Sequence, residues 1–281
     1  MYEKFYGMRT TPFSISPDPA FLYWARAHSM AFTMLEYGIL TPAGLTVITG
    51  EIGSGKTTLV RHLLTKLSGD TTVGVVSSAA GEGDDLLQWA MMSLGLDFSD
   101  HSYVKLYRQF EDFLIRQYTE GKKTVLIIDE AQNLSAKALE KLRMISNINA
   151  DKPLVQMILV GQPELKALLR RPDLVQFAQR VTSDFHLSLL SREEVPAYID
   201  HRLAVAGCDR PIFSEQACEL VHTITHGTPR LINVICDRSL MYGFASGAPF
   251  ITAEIVRAVL ADKEKYGVIS VTNTGHRDAS K

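Results

Sequence analysis

The segment Gly50–Thr57, Gly-Glu-Ile-Gly-Ser-Gly-Lys-Thr, constrains the fold of this 281-residue chain more than any other. It follows the apolar run Leu45–Thr49 and precedes apolar residues at helical spacing from Leu59 to Leu67. A strand, a glycine loop and a helix in this order are the setting in which G-x-x-x-x-G-K-[ST] binds a nucleoside triphosphate. The glycines let backbone N–H groups face phosphate oxygens at the positive end of the helix. The alternative is a glycine-rich turn that a lysine merely follows.

The loop predicts ATP and Mg²⁺ as ligands. We expect Lys56 to reach the β- and γ-phosphates and the Thr57 hydroxyl to bind Mg²⁺. The residues assigned to nucleotide contact are Gly50, Gly53, Ser54, Gly55, Lys56, Thr57 and Thr58.

Asp129 and Glu130 directly follow the apolar run Val125–Ile128, which is typical of a parallel strand buried on both faces. Ligands of such sheets bind where the strands end. We therefore expect Asp129 to hold Mg²⁺ and Glu130 to polarise the attacking water, which predicts hydrolysis. Two solvated loop carboxylates are the alternative.

Two further polar residues are candidates for contact with the γ-phosphate. Gln162 follows an apolar strand predicted at Leu154–Val160, where it would touch the γ-phosphate and the water or cap the helix that begins at Pro163. Arg230 follows Thr228-Pro229, a typical helix start. A cation there is unfavourable for the helix dipole, which indicates a negative partner outside the helix. An ordinary surface arginine is the alternative.

Three arginines before the last predicted strand, Val181–Leu187, are candidates for an arginine finger acting on a neighbouring subunit. Arg180 directly precedes that strand and is the first choice. Arg170 and Arg171 are the others, and at least one of the three is expected to be a solvated surface residue.

Strands alternate with helices from Leu45 to about 190, which predicts an α/β fold with a parallel sheet and helices on both faces. After Leu190 the signals are helical only, beginning with a capping box at 191–194. The predicted divisions are an N-terminal segment and helix packing on the nucleotide site (1–44), the α/β domain (45–190), a small all-helical lid (191–263) and a disordered tail (264–281).

Composition narrows the class of protein. Hydrophobic residues make up 46% and the formal net charge is −2, so nucleic-acid binding would need a local basic patch. No apolar stretch reaches the ~18 residues of a membrane-spanning helix, and the N-terminus lacks a secretory signal. Cys208, Cys218 and Cys236 show no metal spacing, which favours reduced thiols and a cytoplasmic location. His222 and His226 lack the acidic partner of a zinc motif.

Together these motifs resemble those of the AAA+ ATPases, with Walker A at Gly50–Thr57, Walker B at Val125–Glu130, sensor I at Gln162 and sensor II at Arg230. Within AAA+ the chain is similar to the ExeA/GspA group of secretion- and pilus-associated ATPases. The shared segments are Met1-Tyr2-Glu3-Lys4-Phe5-Tyr6-Gly7 with Pro12-Phe13, Asp129-Glu130-Ala131-Gln132-Asn133-Leu134 and Leu159-Val160-Gly161-Gln162-Pro163-Glu164-Leu165. The resemblance extends over about residues 1–263.

The resemblance implies a five-stranded sheet of order 5-1-4-3-2 and a ring or filament with ATP between subunits. It also implies that Phe13–Ile15 and Tyr37–Ile39 flank the adenine. Gln162 departs from the asparagine, serine or threonine usual at sensor I. A longer member of the group has a membrane helix and a peptidoglycan-binding region, so we expect this chain to reach a membrane only through a partner.

Three functions follow as hypotheses. The first is an ATP-driven, homo-oligomeric assembly factor with a protein partner in a bacterial secretion, pilus or exopolysaccharide system. The second is a TniB/TnsC-type transposition regulator forming ATP-dependent filaments on duplex DNA, with Lys137, Lys141 and Arg143 along its bore. The third is a nucleotide-dependent switch with little turnover, closed through Arg230.

Overall fold

The protein is described by a computed structural model over residues 1–40, 44–67, 69–77, 86–99, 102–149 and 152–266. The predicted tail lies outside these residues from Gly267 onward. Along the described residues, helices and strands run in this order: α1 Glu3–Tyr6, α2 Arg26–Leu40, β1 Leu45–Gly50, α3 Lys56–Lys66, β2 Thr71–Ser77, α4 Leu86–Ser93, α5 Tyr103–Thr119, β3 Lys123–Asp129, α6 Ala136–Ser146, β4 Gln156–Gly161, α7 Glu164–Leu169, α8 Val175–Ala178, β5 Val181–Leu187, α9 Glu194–Val205, α10 Glu215–Thr225, α11 Pro229–Ala245 and α12 Ala253–Tyr266.

The five strands form one parallel sheet in the order β2-β3-β4-β1-β5, which confirms the predicted α/β fold and strand order. β1 and β4 are buried along their whole length, as their apolar runs predict for central strands covered on both faces. β5 alternates between partly buried and exposed residues because it is an edge strand. The order β3-β4-β1 brings the ends of three strands together at Asp129, Gly161 and Gly50.

Contacts divide the chain into two units. The α/β unit contains residues 26–52 and 56–188, and its aliphatic core lies between the sheet and the helices packed on it. The helical unit contains residues 1–25, 53–55 and the chain from Leu189 onward, with a core of its own.

The N-terminal segment divides at Ala25, within the range 1–44 that the sequence analysis treats as one segment. Tyr2, Tyr6 and Phe13 are buried in the core of the helical unit, where the Phe13 ring lies edge-on to Phe213 at 5.9 Å. Helix α2 instead packs in the α/β unit, against β1 and β5. The segment divides because its first part is rich in large aromatic side chains that bury in the helical unit, which a scan for periodicity does not detect.

Phe13 and Ile39, two of the residues expected to flank the adenine, belong to different units. Only 1% of Phe13 is exposed, in the core of the helical unit. Ile39 lines a cavity of about 450 Å³ together with Thr71 and Lys123, the first residues of β2 and β3. Because the strands are parallel, this is the edge of the sheet opposite to Gly50.

Several boundaries differ from the prediction. β4 begins at Gln156 rather than at Leu154, because the Leu154 N–H bonds to the Lys152 carbonyl in a turn. α12 continues to Tyr266, past the predicted end of the lid at 263. Within the described part of the chain, no helix is both long and apolar enough to cross a membrane.

Candidate nucleotide site

The glycine loop and the predicted acidic residues come from adjacent strands of the α/β unit. Thr49 of β1 pairs with Gly161 of β4, and Leu159 of β4 pairs with Ile128 of β3. The chain therefore leaves β1 into the glycine loop beside the point where β3 ends at Asp129. This is the edge at which ligands bind in parallel sheets.

Lys56 is the first residue of α3, and only 7% of it is exposed. Its ammonium donates to the carbonyl oxygens of Gly50 at 2.7 Å and Glu51 at 2.9 Å. Burial lowers the pKa of Lys56, while the nearby charges of Glu130 and Asp129 oppose that shift. The ammonium is thus held at the base of the loop, where the charges of Glu130 and Asp129 act on it.

Asp129 and Thr57, the residues predicted to bind Mg²⁺, lie beside each other. The Thr57 hydroxyl lies 3.4 Å from Asp129 Oδ2. Burial raises the pKa of Asp129, and the charge of Glu130 adds to the increase. A desolvated carboxylate beside a hydroxyl is a donor set of the kind that Mg²⁺ prefers, since this ion takes hard oxygen ligands and few protein carboxylates. Among the described residues, no three His, Cys, Asp or Glu side chains are grouped to hold a metal ion by themselves.

Glu130 has a left-handed backbone conformation, with φ = 53°. Its N–H donates to Asp129 Oδ1 at 2.9 Å, and a short 3₁₀ turn at Ala131–Asn133 follows. Its Oε2 accepts hydrogen bonds from the amides of Gln132 at 2.6 Å and Gln162 at 3.2 Å. A non-glycine residue held at positive φ is uncommon, and such residues cluster at functional sites.

Gln162 has the position predicted for it, directly after β4. Its side chain bonds to Glu130, whereas its backbone carbonyl accepts from the Leu165 N–H at the start of α7. The side chain of Gln162 therefore does not cap α7. The amide contacts the acidic residue, and the backbone begins the helix.

Two residues of this edge were missed by the sequence analysis. Gln132 was noted there only as part of a shared segment, and no pattern in the sequence indicates that a 3₁₀ turn brings its amide back to Glu130. His186, the penultimate residue of β5, has its Nδ1 3.1 Å from the hydroxyl of Thr49. Burial lowers the pKa of His186, and the nearby lysine charges, Lys166 first, lower it further.

Comparisons with known proteins identify the family of this chain. A family model described as an AAA domain matches residues 40–169. General secretion pathway protein A of Aeromonas hydrophila is 42% identical over 250 residues, which make up 88% of this chain and 46% of that protein. The chain belongs to the AAA+ family. It spans about half the length of this curated relative.

Solved AAA+ structures share the fold at low sequence identity. Cdc6p of Pyrobaculum aerophilum aligns with a TM-score of 0.69 at 17% identity, over 89% of this chain and 70% of that one. The ORC2 protein of Aeropyrum pernix, in ADPNP-ADP complexes, aligns with a TM-score of 0.63 at 17% identity, over 87% of this chain and 70% of that one. At this level of identity, the similarity shows a shared fold and nothing about activity.

In this AAA+ protein, the tip of the glycine loop belongs with the helical unit. Arg230 is the second residue of α11, and its backbone N–H donates to the Gly53 carbonyl at 3.2 Å. Gly53 has φ = 81°, and an added Cβ there would lie 2.7 Å from the Arg230 Cβ. Glycine is therefore required at 53 both for the backbone angle and for the close approach of α11. Of the remaining loop residues, Ser54 is buried, Gly55 has φ = 102°, and Thr58 is half-buried in α3.

The three candidate finger arginines differ in their contacts. Arg171 makes a two-pronged ion pair with Asp173, at 3.0 and 2.8 Å. Arg180 donates to the Asn147 side chain at 2.8 Å, and its carbonyl accepts from the N–H of Leu45, the first residue of β1. Arg170 is exposed and has no side-chain hydrogen bond or ion pair with another described residue. Arg171 is therefore the least available of the three.

The cysteines are free and buried in the helical unit. Burial raises the pKa of Cys218 to about 12 and raises that of Cys236 well above its usual value. The three side chains are Cys208, Cys218 and Cys236. These are properties of inert core thiols rather than of reactive ones.

Proposed function

We propose that this protein binds ATP with Mg²⁺ and hydrolyses it, and that the nucleotide state controls its assembly with itself and with a partner. The observation that carries the proposal is the grouping of Lys56, the Thr57–Asp129 pair and Glu130 at one edge of the sheet. Each has the chemistry for one part of phosphoryl transfer to water: a cation for the phosphates, oxygen ligands for a metal ion, and a base.

In the proposed reaction, Glu130 accepts a proton from water as the water oxygen forms a bond to the γ-phosphorus. The bond from that phosphorus to the bridging oxygen breaks, and its electron pair leaves with ADP. Lys56 neutralises charge on the β- and γ-phosphates. Thr57 and Asp129 would hold Mg²⁺, which offsets phosphate charge when it is bound. We propose that Gln162 orients the water and that Arg230 contacts the γ-phosphate, as sensors I and II.

Replacement of Glu130 by glutamine tests the hydrolytic step. Phosphate release should fall at least ~100-fold, because the amide cannot accept the proton, while ATP binding is kept. Glu36→Gln, which removes an exposed carboxylate of α2, should leave the rate unchanged. A wild-type rate in Glu130→Gln would contradict the assignment of the base. Wild-type protein that releases no more phosphate than Lys56→Ala would contradict hydrolysis itself.

We propose that Arg180 acts on the nucleotide of a neighbouring copy. It lies beside the first residue of β1, whereas the glycine loop follows the last residue of that strand. Six residues of strand span about 16 Å, which exceeds the reach of an arginine side chain to its own loop. Mixing Arg180→Ala with Lys56→Ala protein tests this idea. Restored turnover in the mixture supports it, and activity of Arg180→Ala alone at the wild-type rate contradicts it.

We propose a bacterial secretion, pilus or exopolysaccharide system as the setting, with the protein in the cytoplasm and at the membrane only through a partner. The identity to general secretion pathway protein A supports this setting. Affinity capture with Glu130→Gln in ATP should recover envelope components, since that variant should hold the assembled state. Recovery of DNA-associated proteins alone would contradict it.

Two of the three cations named for the DNA-filament alternative already contact other side chains of this chain. Arg143 is paired with Glu140 at 2.8 Å, and the Lys141 ammonium lies over the Tyr103 ring at 5.3 Å. The alternative predicts salt-sensitive duplex binding in the presence of ATP. Absence of binding at low salt would eliminate it.

A further inference from the structure

The contacts around Glu130 leave its two carboxylate oxygens in different states. Oε2 accepts hydrogen bonds from the amides of Gln132 and Gln162, at 2.6 and 3.2 Å. Oε1 accepts no hydrogen bond from any residue within the described part of the chain. The oxygen that is already occupied is the poorer acceptor for a further proton, because its lone pairs are taken by N–H donors.

Gln132 is itself held in one orientation. Its Oε1 accepts the backbone N–H of Gln162 at 2.9 Å, while its amide nitrogen donates to Glu130. Rotating the amide by half a turn would bring oxygen against carboxylate and N–H against N–H. Both contacts would then be repulsive, so the network has one consistent assignment.

The Gln132 side chain has little room to adopt another orientation. A Cβ at Gly161 would lie 2.9 Å from the Gln132 side-chain oxygen, so the amide packs directly on the end of β4. The left-handed backbone of Glu130 and the 3₁₀ turn after it place Gln132 two residues later on the same side. The amide therefore links the end of β4 to the acidic residue at the end of β3.

We propose that Gln132 is a positioning residue for hydrolysis: it holds Oε2 of Glu130, so that Oε1 is the atom that takes the proton from water. This inference rests on the proposed function. Glu130 is the catalytic group, and Gln132 acts only through it. The link through the Gln162 backbone makes the position of the base depend on the end of β4.

Two substitutions separate the two hydrogen bonds of Gln132. Gln132→Met keeps the length of the side chain and removes both bonds. Gln132→Glu keeps an acceptor for the Gln162 N–H but replaces the donor to Glu130 with a second carboxylate. Gln117→Met is the control, because Gln117 is a buried glutamine of the same unit that bonds to Thr72.

We expect kcat for ATP hydrolysis to fall about 10- to 100-fold in both Gln132 variants, since a small misplacement of the base has an effect of this size. KM and ATP affinity should stay at wild-type values, and the control should keep the wild-type kcat. If Gln132→Glu retains the wild-type rate while Gln132→Met loses it, only the Gln162 contact matters and the proposal is wrong. Wild-type rates in both variants would also overturn it.

A measurement without nucleotide tests the contact independently of turnover. Gln132→Met should lower the Tm by about 3–6 °C in the wild-type background, because it removes a hydrogen bond to a charged acceptor. The same substitution in a Glu130→Ala background should lower it much less. Equal decreases in both backgrounds would show that no Gln132–Glu130 interaction exists and would overturn the proposal. Wild-type protein that hydrolyses no ATP but shows unequal decreases would contradict only the proposed function.

Discussion

Gly161→Ala is expected to disturb hydrolysis without touching any residue that contacts ATP. Gly161 is the last residue of β4, and a Cβ there would lie 2.9 Å from the Gln132 side-chain oxygen and 2.9 Å from Leu165 Cδ2. It would also lie 3.3 Å from the backbone nitrogen of Gln132. Ordinary contacts begin at 3.4 Å, so three atoms must give way at once.

The magnitude follows from the two ways in which the structure can respond. Overpacking of a closely packed site costs about 1–3 kcal/mol if the neighbours shift. Release of the Gln132 amide instead loses a hydrogen bond to a charged acceptor, worth about 1.5–3 kcal/mol. Either response destabilises by about 2 kcal/mol. At about 2–4 °C per kcal/mol, the Tm should fall by about 4–8 °C.

The assay is thermal unfolding combined with phosphate release, and Gly69→Ala is the matched control. Gly69 lies in a turn of the same unit, has no positive φ and has no atom within 4 Å of its added Cβ. Its alanine variant should keep the wild-type Tm and rate. Gly161→Ala should lose both stability and turnover and keep its ATP affinity. Equal behaviour of the two variants would refute the steric argument.

Two further predictions concern the helical unit. Arg202 is buried and donates to the carbonyl oxygens of Pro12 and Ser14, so Arg202→Ala should destabilise by about 2–4 kcal/mol because the buried Pro12 carbonyl loses its donor. Arg257→Ala, at an exposed ion pair, should leave the Tm unchanged, and an equal Tm for both variants would contradict this reading. Cys218 and Cys236 should resist Ellman's reagent at pH 8 in native protein and react in guanidinium, since a pKa of about 12 leaves a thiolate fraction of about 10⁻⁴ for Cys218. Rapid native labelling would contradict their burial.

Much of the α/β unit was predictable because its signals are local. The glycine loop lies between a strand and a helix, and the apolar run before Asp129 is the buried strand that it indicates. The order of the strands was predicted from the family resemblance rather than from periodicity. The Thr57–Asp129 pair then follows from the parallel order of the strands.

The remainder depends on tertiary contacts that no local pattern contains. Tyr6 and Phe13 are buried in the core of the helical unit, which no local pattern in the N-terminal segment indicates. Gln132 contacts Glu130 only because a 3₁₀ turn follows a left-handed residue. His186 reaches Thr49 across two paired strands, so the contact exists only once the sheet has formed.

Binding of ATP in the presence of Mg²⁺, measured by calorimetry, tests the account most directly. Lys56→Ala removes the ammonium from the base of the glycine loop, and Lys66→Ala removes an exposed lysine of the same helix. We predict heat of binding for the wild type and Lys66→Ala, and an affinity at least about tenfold weaker for Lys56→Ala, because we propose that this ammonium neutralises the β- and γ-phosphates. No heat from the wild type, or equal affinity in the two variants, would contradict the nucleotide site.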